Sequence, residues 1–167
     1  MLKPLLFAAL FILTQKPTKP VETGIIAGRV AAPAETTISQ PLQIVLLPPQ
    51  YSGIWESDVQ QRLDGYWERY KPAFAQKKEY FSEVSQMAYR EATQFIINRM
   101  RRDIPDKIPD LIQNSSPNGL FEFNNVVPGE YTVVALGRVG GQNFVWKEAI
   151  NINGPVPQFL ELKKHIP

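Results

Sequence analysis

The chain of 167 residues contains no cysteine. Disulfide scaffolds, thiolate metal sites, thiol nucleophiles and lipidation of a mature N-terminal cysteine are therefore excluded. Histidine is almost absent as well, since His165 is the single copy, which rules out a multi-histidine metal site within one chain. The most apolar run, Pro4 to Leu13, has ten residues, about half of what a membrane-spanning helix needs. Charge of one sign is also lacking. The formal net charge of +2 gives no electrostatic case for nucleic acid as a partner. What remains is a globular balance, 44% apolar and 20% charged, long enough for one domain.

Met1-Leu2-Lys3 followed by Pro4 to Leu13 (PLLFAALFIL) has the short basic start and apolar core of a secretory signal. No small-x-small pair follows Leu13, so an uncleaved anchor is the other reading. Residues 1–15 are taken as the signal peptide and 16–23, with Pro17 and Pro20, as a linker. The expected location is periplasmic, cell-surface or secreted, with no membrane span once the signal is removed.

Charge and glycine divide the remainder into two materials. Ile54 to Gln113 carries ten basic and ten acidic residues and one glycine, Gly65. The flanks are β-branched, aromatic and punctuated by turns. Ile25–Val30 and Leu42–Leu47 read as strands, the second stopped by Pro48-Pro49. Asn118-Gly119, Pro128-Gly129 and Gly140-Gly141 mark turns between Leu120–Phe123, a strand from Tyr131 to about Arg138, and Asn143–Ile152. Glu148 shares a parity with Phe144, Trp146, Ile150 and Ile152, which predicts a bulge or an edge position there. Gln158–Leu162 closes the set. The pattern predicts an antiparallel sandwich at residues 24–162, built from 24–53 and 114–162 around a helical insert at 54–113, with 163–167 as a tail.

The run Gly119-Leu120-Phe121-Glu122-Phe123, then Pro128-Gly129-Glu130-Tyr131, resembles the signature of carboxypeptidase regulatory-like domains. The resemblance extends to the opening Ile26-Ala27-Gly28-Arg29-Val30 and to Pro41 through Leu46. It implies a mainly β fold, a transthyretin-like sandwich of six to seven strands, here interrupted by two long helical segments. It also makes Gly119, Phe121, Phe123, Pro128, Gly129 and Tyr131 structural, with the Tyr131 ring in the core and its hydroxyl reaching backbone at a sandwich corner. Fold relatives that are hydrolases or dioxygenases use histidines this chain lacks, so a non-enzyme without a cofactor is expected.

Within the insert, Val59, Leu63, Tyr66, Tyr70, Phe74, Phe81, Val84, Ala88, Phe95 and Ile96 recur at helical spacing. Ser57 with Gln60 fits a capping box, Asp58 and Arg62 are placed to pair, and helix is predicted from about Trp55 to Arg102. Pro72 suggests two segments meeting near Lys71-Pro72, because a proline removes a helix hydrogen bond. Family-like strands flank the insert on both sides, which predicts a docked but separable element. Tyr51, Trp55, Trp67 and Tyr70 form an aromatic concentration that suits packing on a sheet or stacking on sugar rings. Arg99, Arg101 and Arg102 suit either a solvated helix end or an anionic contact. These seven residues are the candidate contacts. The expected function is protein–protein interaction through the insert, with carbohydrate binding by surface aromatics as the alternative. Residues 1–23 fused to a reporter are expected to carry it out of the cytoplasm; retention of the fusion contradicts the signal assignment.

Overall fold

The computed structural model describes residues 22–33, 36–74, 77 and 79–166. The signal-peptide assignment at 1–15 falls outside the described residues. Strands β1 (Gly24–Val30), β4 (Leu120–Val126) and β7 (Gln158–Leu162) form one sheet in the order β4-β1-β7. Strands β2 (Gln43–Leu47), β3 (Ile112–Asn114), β5 (Gly129–Val139) and β6 (Gln142–Ile152) form the other, in the order β3-β2-β5-β6. The fold is a seven-stranded, two-sheet sandwich with helical segments. One pairing departs from the antiparallel expectation, because β1 and β7 run parallel. The short strand β3, ahead of the Asn118-Gly119 turn, is the one sequence patterning does not announce.

Alternation sends Ile44, Leu46, Val133, Ala135, Phe144 and Trp146 of the second sheet inward against Ile26, Phe121, Phe123 and Leu162 of the first. Close approach explains Gly28, where any side chain would collide with the Phe121 ring. Gly119 is held at φ +82° in the Asn-Gly turn, a conformation that disfavours a side chain. Glu148 sits on β6, the edge strand, in unbroken register with Val133 of β5. The edge alternative is thus the one realised, and no bulge is needed.

A second core lies on the outer face of the four-stranded sheet. Val45, Leu47, Val134 and Val145 point away from the first core and are covered by Tyr51, Trp55 and Val59 of α1 (Pro49–Phe74) and by Ala92, Ile96, Ile97 and Met100 of α2 (Glu79–Asp103). The paired contacts Tyr51–Asp103, Trp55–Thr93 and Arg62–Glu91 run in opposite chain order, so the two helices are antiparallel. A four-residue helix, α3 (Ile108–Leu111), leads from them into β3.

Several expected boundaries move. Helix α1 starts at Pro49, where proline is favoured as first helical residue, and Ser57 is interior to it rather than its cap. Pro72 lies in the last turn of α1, which continues to Phe74. Asp58 does pair with Arg62, at 2.8 Å. The insert is docked rather than free-standing, because it covers Val45, Leu47, Val134 and Val145 of the outer sheet face, and its expected span includes Ile112 and Gln113 of β3. Nor are residues 163–166 a free tail. The Ile166 amide donates to the Val145 carbonyl at 2.7 Å, and the Ile166 side chain joins the second core.

The Tyr131 ring is in the first core and its hydroxyl donates to the Val127 carbonyl at 2.8 Å. Burial raises the pKa of this phenol above the usual tyrosine value, so the neutral form favours the fold. That contribution is full below the unfolded-state pKa and falls away as pH rises through it toward the folded one. Tyr131→Ala is expected to cost ~3–5 kcal/mol and Tyr131→Phe about 1 kcal/mol at neutral pH. Denaturant titrations should show the Tyr131→Phe deficit shrinking as pH rises above about 10; a constant deficit contradicts the burial argument.

Candidate functional site

The seven candidate contacts do not assemble into one surface. Tyr51 (5% exposed) and Trp55 (0%) are in the second core. The Trp55 indole N–H donates to Thr93 Oγ1 at 3.0 Å, and its ring packs at 5.7 Å from that of Tyr89. Tyr51 donates to Asp103 at 3.5 Å, and burial followed by the neighbouring Asp103 charge raises its pKa. Trp146 is likewise buried, between the sheets beside Phe144. A sugar-stacking platform including Tyr51 and Trp55 is therefore corrected: both rings are occupied in packing helix on sheet.

Trp67 and Tyr70 lie toward the opposite end of the hairpin. There Trp67 stacks on Phe74 at 5.4 Å, and Phe81 meets both edge-on, at 6.1 and 5.9 Å. Trp67 is 43% and Phe81 47% exposed. Tyr70 is half-buried, 6.1 Å from the ring of Tyr66. The cluster opens on a recess of about 340 Å³ whose wall is mostly apolar, with Leu63, Val84, Tyr89 and Ile166 completing it. Nearer the sheet, Glu91 accepts from Arg62 at 2.7 Å and from the Tyr66 hydroxyl, clipping the two helices together. That hydrogen bond, then burial, raises the Tyr66 pKa. The sequence across the turn is one-signed: residues 69–78 contain Arg69, Lys71, Lys77 and Lys78 and no carboxylate.

Arg99, Arg101 and Arg102 are in the last turns of α2, about 30 Å from Phe81 at 1.5 Å per residue. Arg99 is engaged by Asp103 at 3.4 Å, while Arg101 and Arg102 are exposed. They share no surface with Trp67. Missed by sequence reasoning is a second depression of about 1130 Å³ between α2 and the β5–β6 end of the outer sheet. Its walls carry Gln86, Arg90 and Gln94 from α2 and Gln43, Arg138 and Asn143 from the sheet. On a helix such residues read as an ordinary solvated face, so nothing in the sequence flags them.

Among the described residues, no group of three or more histidine, cysteine or carboxylate side chains is placed to hold a metal ion. No described helix is long and apolar enough to cross a membrane. No protein-family model matches the chain, and a search of curated proteins found no match. Among solved structures, it is similar to a candidate carbohydrate-binding protein from Pseudomonas aeruginosa at 12% identity, TM-score 0.39, over 89% of this chain and 92% of that one. It is also similar to the pilus backbone of Streptococcus pneumoniae at 12% identity, TM-score 0.34, over 85% of this chain and 41% of that one. At such levels neither neighbour's ligand or assembly transfers to this chain.

The Trp55–Thr93 bond ties the hairpin together inside the second core. Thr93→Val keeps the shape but leaves a buried indole donor without its acceptor. It is expected to cost about 1–3 kcal/mol, measured by denaturant unfolding; a cost near zero means the bond contributes nothing to helix docking.

Proposed function

We propose that the chain is an exported, non-catalytic β-sandwich module of the carboxypeptidase regulatory-like kind, which binds another protein through the distal end of its helical hairpin. The observation that carries this reading is the Trp67–Phe74–Phe81 cluster. Trp67 and Phe81 are left half-open beside an apolar recess, while Tyr51, Trp55, Val59, Ala92, Ile96, Ile97 and Met100 of the same hairpin are buried on the sheet. Tryptophan in a partly formed pocket is the kind of residue that dominates binding energy at interfaces. The four cations across the turn fit a partner whose apolar anchor is ringed by carboxylates. Export rests on the apolar core of residues 4–13. Absence of catalysis rests on the single histidine, the missing cysteine and the solvated carboxylates of the helices. The sandwich motif, with the Tyr131 hydroxyl at its corner, supports the family resemblance.

A photo-crosslinking amino acid in place of Tyr70, in the exported chain in its own host, should yield one discrete protein adduct. The same probe in place of Arg101 should yield none. With that partner purified, Trp67→Ala and Phe81→Ala together should weaken binding at least about tenfold without changing the circular dichroism spectrum. Absence of an adduct, or cation-dependent sedimentation with anionic phospholipid vesicles instead, overturns the protein-partner reading.

A further inference from the structure

The larger depression is lined mainly by polar side chains, with Met87 of α2 and Leu136 of β5 as apolar exceptions, and its two walls arise independently. Gln86, Arg90 and Gln94 are spaced at i, i+4 and i+8, so they form one row along α2. On the sheet, Ile44 and Ala135 face the inner core. Alternation therefore turns Gln43 and Arg138 outward, toward the helix layer. Arg138 pairs in register with Asn143 of β6. Its guanidinium donates to the Gly141 carbonyl at 2.8 Å, which fixes one edge of the fork and leaves other donors free.

Elsewhere the helix layer meets the sheet through packed apolar side chains, but here a gap of about 1130 Å³ lies between them, lined by polar side chains together with Met87 and Leu136. Neither Arg90 nor Arg138 takes part in an ion pair among the described residues. Of the two carboxylates at the groove, Glu91 is engaged by Arg62 and Tyr66, which leaves Glu83. Planar amides that donate and accept at once suit hydroxyl groups. Guanidinium groups suit carboxylates, which they bind as a fork. No aromatic ring lines the groove, so affinity has to come from polar and charged contacts rather than from stacking.

We propose that this groove binds an acidic oligosaccharide, with Arg90 and Arg138 taking its carboxylates and Gln43, Gln86, Gln94 and Asn143 its hydroxyls. The site is separate from the hairpin-tip contact. Phe81 and Arg90 are nine positions apart, two and a half helical turns, and so lie on opposite faces of α2.

The test is isothermal titration of the mature chain with oligomers of galacturonate, mannuronate and glucuronate, and with the fully methyl-esterified galacturonate oligomer. Saturable binding of at least one acidic oligomer is expected, with the methyl ester about tenfold or more weaker if galacturonate is bound. Arg90→Gln and Arg138→Gln should each weaken binding about tenfold, as for losing a charge-assisted hydrogen bond. Both side chains are exposed, so unchanged unfolding midpoints are expected and will certify the fold. Trp67→Ala should bind the acidic oligomer as the parent does, whether or not the protein-partner reading survives. No saturable binding by any acidic oligomer, or binding indifferent to both arginine substitutions, overturns the proposal.

Discussion

Strand β2 is buried on both of its faces, and most of the architecture follows from that. Ile44, Val45, Leu46 and Leu47 are each fully buried, although a sandwich strand ordinarily shows one face to water. Neighbouring β5 repeats the condition, with Val133 and Ala135 turned inward and Val134 turned outward. An outer face bearing Val45, Leu47, Val134 and Val145 cannot be left wet, since exposed apolar sheet invites association. The helical hairpin is therefore a third layer of the fold rather than an ornament on a complete sandwich. The chain leaves β2 directly into α1 and returns from α2 through α3 into β3, the neighbour of β2, so covering layer and sheet edge are made by one excursion.

The hairpin is longer than the face it covers, and the excess has its own physics. Ala92 begins the part of α2 that packs on the outer sheet, and about 20 Å of helix precedes it. Beyond the sheet, the two helices pack mainly on each other. The Arg62–Glu91–Tyr66 clip and the Trp67–Phe74–Phe81 cluster meet that need, one by charge-assisted hydrogen bonds and one by ring packing. Among the described residues, Ile166 from outside the hairpin reaches the recess beside these rings but does not cover them. That leaves Trp67 and Phe81 half exposed, and the balance of exposure and packing at the tip is a consequence of hairpin length.

The strands were legible because short β segments carry their own punctuation. Gly119, Gly129 and Gly140 each precede a run whose alternation states which side chains go inward, and the Tyr131 corner bond was foreseeable from the Pro-Gly turn before it. Strand β3 was not legible. Its three residues, Ile112 to Asn114, have no room to show a period, and their pairing with β2 is decided by where α3 delivers them. The helix start at Pro49 was hidden because proline ends a strand and begins a helix by the same property, the missing N–H. Pro72 misled for a related reason: within the last turn it loses one hydrogen bond, yet the helix still reaches Phe74. The aromatic candidates Tyr51, Trp55, Trp67 and Tyr70 lie on a single helix, and sequence could not divide them. Their separation into core and tip depends on how far the sheet extends beneath α1, a property of strands far away in the chain.

The same uncertainty in reach shaped the polar groove. A row such as Gln86, Arg90 and Gln94 is indistinguishable from a solvated helix face until the position of the sheet is known. What makes it a wall is that α2 has already left the packed part of the sheet at this level, while Arg138 and Asn143 still continue the β5–β6 hairpin beneath it. Where Ile96 and Ile97 line α2 further along, helix and sheet pack together, whereas at the groove Met87 and Leu136 are outnumbered by polar side chains. Opposed polar residues instead keep the layers apart, because each would be desolvated without a partner if they met. The groove thus persists for the reason the core closes: apolar surfaces are drawn together, and hydrated polar surfaces resist losing their water. Recess and groove lie on opposite faces of α2, and both open where that helix runs past its support.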